Sequence, residues 1–564
     1  MAGERRDGQL SVVARLVVGV AALPTAFIAA TATATVIGVA ARQSGVRPWD
    51  SLAASRVIVV LLVVVAGSVV GAAVKRAAAG SSAWRMTLPF VALLGYAVVG
   101  RFLSLGHRAE WFLGGDHVRH LLFVAEERVV GNLDYSTQPY PRAWHTLVTI
   151  IWSATGPRTD AAGLRSLIDL MSTATWCLAA VLSLATGALT VALAQRCGAT
   201  SRQADLAGLA AASVMLLNPF LGNYQALGFE TSYVGAIVLA VVAREVLVVD
   251  DASRVRAALV CIAALIVCAH SWQLLLPATG LAFLVVAWPV ARRGGARDRL
   301  VLSVAALCGA VVTVPALLAV FTAVGVEHAS DAGVVAPVPW ALLGAGLLAT
   351  GFVALRRPRS APVAIALVVT VLPGLTGAWL AFRVGIPVTD YYPSKLLWHT
   401  AVLGLSPLAF VCGRGWAHLA RRAPGGSARI LRGAGAVVAC LALAYALISP
   451  ALAFMGAWSS VRGPVVVDAI TSPGADNAQV VWLGDLGDDT IGRILLDFYR
   501  VPDPRRTLQS PLDVAEECTL LRAADRPTVL SNRTSAEVQS RYGCVPTVER
   551  VPVADALAGG GATS

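Results

Sequence analysis

RVRAALVCIAALIVCAHSWQLLLPATGLAFLVVAWPVARR, residues 254–293, is the stretch on which the architecture turns. A bilayer-spanning helix needs about 20 apolar residues. These forty residues therefore read either as one long span or as two spans folded back on each other. Arginine decides between them. Arg244, Arg254 and Arg256 precede the apolar run, and Arg292, Arg293, Arg297 and Arg299 follow it. Basic clusters mark the cytoplasmic side of a membrane protein, so both ends belong to one face and the chain crosses an even number of times. His270-Ser271-Trp272-Gln273 is then the outer apex of a hairpin.

The same spacing holds on either side. Clusters at Lys75/Arg76/Arg85, Arg196/Arg202, Arg356/Arg357/Arg359 and Arg414/Arg421/Arg422/Arg429/Arg432 bracket successive pairs of apolar runs. The short loops between, around 222–231 and 326–338, carry neither Lys nor Arg. We count thirteen spans, at 10–41, 57–74, 86–105, 166–195, 204–221, 232–249, 257–272, 274–291, 300–325, 338–355, 361–382, 394–412 and 433–457. Arg42, Arg47 and Arg56 in the first outer loop break the pattern. With 57% hydrophobic and 14% charged residues and a mean hydropathy of +0.70, the chain is not a soluble globule. The net charge of +12 follows the loops rather than forming a nucleic-acid patch.

The predicted fold is an all-α polytopic membrane protein with a small extracytoplasmic α/β domain at its C-terminus. The membrane body covers 1–458 and the C-terminal domain 459–564. With Arg5 and Arg6 inside, span parity puts the N-terminus in the cytoplasm of a plasma-membrane protein and the tail outside. The N-terminal apolar run is too long for a cleaved signal and more spans follow it. In the tail, strand-like runs at 479–483, 527–531 and 544–551 alternate with helical patterns at 489–500 and 511–523. Cys518 and Cys544 stand apart from the seven cysteines in or beside spans. They read as a disulfide in an oxidising compartment, or as two unpaired buried thiols.

Between the third and fourth spans lies an extracytoplasmic insertion, 107–165. Gly114-Gly115 breaks the chain and Asp116 stands at an N-cap position. Val118, Leu121, Leu122, Ala125 and Val129 then mark one face of an amphipathic helix that Gly131 ends. Its polar side carries His117, His120, Glu127 and Arg128. A second apolar stretch, 144–154, is too short to span and suits another interfacial helix. Seven of eight histidines (His107, His117, His120, His145, His270, His328 and His399) and Lys395, one of only two lysines, fall on this outer face.

That crowding points to chemistry. Asp116 is either a plain N-cap or, with His120 one turn on, a general base for a hydroxyl nucleophile. A divalent cation on Asp116, His117 and His120 is the other option, although the spacing matches no strong ligand signature. Lys395 either snorkels to the interface or holds a phosphate, with His399 one turn further. Tyr391 and Tyr392 are belt residues or stack on a sugar. His270 binds a head group or a neighbouring helix. Asn223, Tyr224, Gln225, Glu230 and Tyr233 form another polar outer patch. His117, Tyr140, Arg142 and His145 are candidates for contact with an acceptor, or for loop packing.

Gly115-Asp116-His117-Val118-Arg119-His120, Tyr140-Pro141-Arg142-Ala143-Trp144-His145 and Tyr391-Tyr392-Pro393-Ser394-Lys395, set in a large loop after early spans, resemble the GT-C superfamily of polyprenyl-phosphate-sugar glycosyltransferases. The resemblance is to its actinobacterial arabinofuranosyltransferase-like members and covers most of the membrane body. Many members carry a paired Asp-Asp or Asp-Glu here, whereas His117 follows Asp116. What the resemblance implies is inverting transfer of a sugar, arabinofuranose or mannose-like, from a polyprenyl-phosphate donor to a cell-envelope glycan or lipid acceptor. Asp116 would be the base, with no firmly implied cofactor, and Lys395, with His399 or His270, would steady the departing phosphate. A transporter or flippase of lipid-linked sugars is the alternative, and it would need polar groups through the membrane on both faces.

Overall fold

The computed structural model describes residues 12–76, 84–102, 116–133, 142–157, 161–214, 224, 228–324, 337–357, 360–422, 478–482 and 514–552. The span expected over 10–41 is two helices, α1 (Val12–Ala21) and α2 (Leu23–Gln43). Pro24 in the first turn of α2 has no N–H to carry the ladder of α1 onward, so the chain turns at Ala22. Next come α3 (Leu52–Arg76) and α4 (Thr87–Phe102), then α5 (His117–Val130) and α6 (Ala143–Ser153) of the insertion. The body continues with α7 (Ala161–Arg196), α8 (Ser201–Val214), α9 (Glu230–Val248), α10 (Arg254–Ala269) and α11 (Leu276–Arg293). Its last described helices are α12 (Ala296–Val324), α13 (Trp340–Arg356), α14 (Ala361–Val384) and α15 (Tyr391–Arg422).

Among the described residues, eight helices are long and apolar enough to cross a bilayer: α2, α3, α7, α9, α11, α12, α14 and α15. The chain is a multi-pass, predominantly α-helical membrane-embedded protein. Four further helices in the predicted ranges are shorter, with 16 residues in α4, 14 in α8, 16 in α10 and 17 in α13. The expected span 433–457 lies outside the described residues. Residues 254–293 do fold as a hairpin, α10 and α11 joined by a single 3-10 turn at Gln273–Leu275.

The core runs along α7 and α9, whose apolar windows are each 89% buried, while α3 at 6% faces outward. Small residues bring α13 and α15 together, since a Cβ on Gly346 would lie 3.0 Å from the Gly404 Cα. Behind the first turns of α15, the Gly374 N–H donates to Thr400 Oγ1 at 2.8 Å and Gly377 abuts Pro393 and Leu396. That packing holds the start of α15 in place.

The insertion differs from expectation in orientation. The polar residues of α5 turn inward: His117, His120 and Glu127 are all buried. Ten of the eleven residues of α6 are buried too, so it is a covered helix rather than one lying on a surface. Two of the three arginines that break the charge pattern, Arg47 and Arg56, have a structural role. Gly131 ends α5 in the left-handed conformation (φ +83), and the Arg47 guanidinium donates to the carbonyl of Val129 at 2.5 Å. Arg56 Nε donates to the carbonyl of Ala154 beyond the last turn of α6 at 3.2 Å. Both cations satisfy carbonyls left over at helix C-termini.

In the tail, β1 (Val480–Trp482), α16 (Val514–Ala523), β2 (Thr528–Ser531), α17 (Ser535–Arg541) and β3 (Glu549–Pro552) alternate. The strands form a parallel sheet in the order β1-β2-β3, with Val480 opposite Val529 and Thr528 opposite Glu549. Cys518 and Cys544 are joined in a disulfide, which removes the alternative of two free thiols. The pair sits beside a small core of Val480, Leu521, Val529, Val538 and Tyr542. The helix expected over 489–500 falls outside the described residues, and α17, with a capping box of Thr534 and Glu537, was not expected.

Candidate active site

Asp116 occupies the N-cap position of α5 but does not cap it. Its backbone is helical (φ −81°, ψ −5°) and its side chain makes no capping bond. The carboxylate accepts instead from the hydroxyl of Tyr391, with 3.3 Å between that oxygen and Oδ2. The same phenol oxygen accepts from Lys395 Nζ at 2.5 Å. Asp116 and Tyr391, 275 positions apart in the chain, thus bring the carboxylate and the ammonium onto one hydroxyl. The ammonium lies 3.6 Å from the ring centre of Phe229 and 3.7 Å from that of Tyr391, and Lys395 is only 5% exposed. Snorkelling would carry the head group out to water. Here the head group is enclosed by aromatic faces at the first turn of α15.

Beneath this surface lies a buried polar cluster centred on Glu230, the first residue of α9. His117 Nδ1 donates to Glu230 Oε1 at 2.6 Å, and Thr175 of α7 donates to the same oxygen at 3.2 Å. His120 Nε2 lies 3.3 Å from Oε2. On its other side, His120 Nδ1 is 2.6 Å from His145 Nε2, and the two rings stack with centres 4.9 Å apart. A neutral set is self-consistent: His120 presents Nε2–H to the carboxylate and accepts at Nδ1 from His145 Nε2–H. Burial pushes the pKa of both His120 and His145 below the usual imidazole range, and the adjoining imidazole adds to this at His145. Gly228 makes the cluster possible. Its φ of +74° suits glycine, and a Cβ there would collide with the backbone N of His117.

The structure brings Asp116, Tyr391 and Lys395 together, with His117, His120 and His145 in the layer behind. Other expected residues take different places. His270 points away: its Nε2 lies 3.2 Å from the carbonyl of Val312 on α12, and its own carbonyl accepts from the Ala143 N–H at the start of α6. The apex residue that reaches the α15 aromatics is Trp272, with ring centres 6.1 Å from Tyr392 and 5.6 Å from His399. His399 is buried, its Nδ1 lying 2.6 Å from the Lys395 carbonyl, so that nitrogen is not offered to a phosphate. Arg142 is 1% exposed and paired with Glu126 at 2.8 Å, which makes it a bridge between α5 and α6 rather than an acceptor contact. Likewise His117 and His145 are fully buried, His117 against Glu230 and His145 against His120. Tyr392 packs edge-on against Tyr391, ring centres 5.0 Å apart. Tyr140 lies outside the described residues.

The residue that sequence reading undervalued is Glu230, noted only as one member of a polar patch. An acidic side chain opening an apolar span was the available signal. Among the described residues, no group of three or more His, Cys, Asp and Glu is placed to hold a metal ion. A cavity of about 610 Å³ opens elsewhere, lined by Val17, Ala72, Ala188, Arg244, Val248 and Arg256. It lies at the opposite end of α9 from Glu230, about 27 Å away at 1.5 Å per helical residue. No protein-family model matches the chain, and no curated protein is significantly similar to it.

Proposed function

We propose that the chain is a membrane glycosyltransferase that moves a sugar from a polyprenyl-phosphate donor to a hydroxyl of a glycan or lipid acceptor. The single observation that carries this reading is the pairing of a carboxylate and a buried ammonium through the Tyr391 hydroxyl. A carboxylate released from its capping role is free to accept a proton. An ammonium already stripped of water suits a departing phosphate. In the reaction, the acceptor oxygen attacks the anomeric carbon with inversion as the carbon–oxygen bond to the phosphate breaks. The acceptor proton passes to Asp116, and the polyprenyl phosphate leaves against Lys395. The aromatic rings of Tyr391, Tyr392 and Trp272 offer flat apolar faces for the sugar.

Topology belongs to the same proposal. The thirteen-span count, with arginine clusters inside, places Asp116, Lys395 and the disulfide-bearing tail on the extracytoplasmic side of the plasma membrane, where the tail assists acceptor binding.

The test is to incubate the purified protein with a panel of polyprenyl-phosphate sugars and an acceptor extract, and to measure release of the lipid phosphate. Asp116→Asn should lower the rate by about a hundredfold or more while leaving protein abundance unchanged. Wild-type turnover in that variant would remove Asp116 as the base. Movement of intact lipid-linked sugar between leaflets, without phosphate release, would identify a flippase instead.

A further inference from the structure

The question left by the site is what keeps Asp116 from capping its own helix. Asp is among the best N-cap residues, yet here it has helical dihedrals and an uncapped side chain. Something must set the rotation of the first turn of α5. His117, the next residue, is wholly buried and bonded to Glu230 at 2.6 Å. His120, one turn on, meets the other oxygen of the same carboxylate at 3.3 Å and is stacked on His145. Thr175 of α7 fixes Glu230 from a third side. The Gly228 backbone closes on the peptide joining Asp116 and His117, with the Asp116 C and N atoms 2.9 and 3.0 Å from where its Cβ would be.

We infer that Glu230 is the positioning residue of this site: through His117 and His120 it fixes the first turn of α5 so that the Asp116 carboxylate faces Tyr391 and Lys395. The inference rests on the glycosyltransferase reading for its kinetic consequences, but not for its structural ones. The charged and titratable groups around the Glu230 carboxylate are His117 and His120 on α5, His145 on α6 behind His120, Tyr233 on its own helix, and Asp116 and Lys395 at the surface of the cluster. Its role is geometric and electrostatic at once. Glu230 orients two imidazoles, and its negative charge sets the field in which the base works.

Glu230→Gln separates these roles from simple packing. Glutamine keeps the volume and still accepts from His117, but its amide cannot accept from His120 with the charge of a carboxylate. Turnover at saturating donor should fall roughly tenfold with donor KM less affected, because Glu230 acts on Lys395 through space and not through a bond. Removing a negative charge eases deprotonation of neighbouring acids, so the acid limb of the pH–rate profile should move to lower pH. Gly228→Ala shifts the same helical turn without altering any charge. It should lower turnover and leave the acid limb in place. Amide exchange across residues 117–121 should quicken in both variants. This readout holds whether or not the chain transfers sugars.

A folded Glu230→Gln protein with wild-type rate, pH profile and amide exchange would overturn the positioning role. If Glu230→Gln does not fold, Gly228→Ala with wild-type turnover and exchange overturns it equally. Quickened exchange together with a wild-type chain that releases no lipid phosphate from any donor would keep the positioning role and dismiss the glycosyltransferase reading.

Discussion

Asp116 and Lys395 meet through a single phenol, the Tyr391 hydroxyl. One of two lysines in a chain of 45 basic residues stands at the mouth of a span, and one carboxylate follows a Gly-Gly break. Their meeting was legible as a possibility because both fell on the same face by span parity. The phenol that joins them was read only as a sugar platform or a belt residue. Ring directions of His270 and His399 were not legible, because a one-residue error in helix phase turns a side chain by about 100°. At this scale the expected outcome concerns Lys395. Lys395→Ala should reduce kcat/KM for the donor by about a hundredfold, the order found for loss of one preorganised charge donor. Lys395→Arg retains the charge and should stay well above it. Equal donor kinetics in the two variants would remove the phosphate role.

At the scale of elements, α5 was readable from its apolar spacing and from Gly131, which ends it in the left-handed conformation. Its polar side was expected to meet solvent and instead meets α6 and α9. Periodicity reports that a face is polar, not what that face touches. Glu127 makes the point measurable. It is fully buried between α5 and α6, it accepts from Thr146 at 3.2 Å, and burial pushes its pKa up to about 8 despite the nearby Arg142. A carboxyl whose folded pKa lies above its unfolded value near 4.5 favours the fold most at low pH. That contribution is lost as pH rises from about 4.5 through about 8. Glu127→Gln should therefore flatten the decline in thermal stability over this window and be more stable than wild type at pH 8, by about 4 kcal/mol. Identical pH dependence of unfolding in the two proteins would refute the assignment.

For the whole molecule, arginine spacing requires residues 254–293 to fold as a hairpin, and they do. Two features escaped it. The break at Ala22 within one apolar run depends on a single proline, and Arg47 and Arg56 look like topology signals although they cap helices in the fold. The parallel sheet of the tail was visible as strand-like runs, whereas its order rests on contacts between segments far apart in the chain. Ser44 is exposed in the turn between α2 and α3, and Ser201 is exposed at the start of α8 beside the Arg196/Arg202 cluster. With Cys in place of each in turn, a membrane-impermeant thiol reagent applied to intact cells should modify position 44 and spare position 201. The reverse pattern would invert the proposed orientation.

Lys395 lies between two rings, and among its described contacts no carboxylate touches the ammonium. Taking a charge out of water is costly unless an opposite charge accompanies it, and the Asp116 carboxylate accompanies this one only at one remove, through the Tyr391 hydroxyl. On the proposed reading, a phosphate arriving beside it supplies a direct counter-charge as it binds. Recognition and dehydration of the cation are then no longer successive events, because the second was completed when the chain folded.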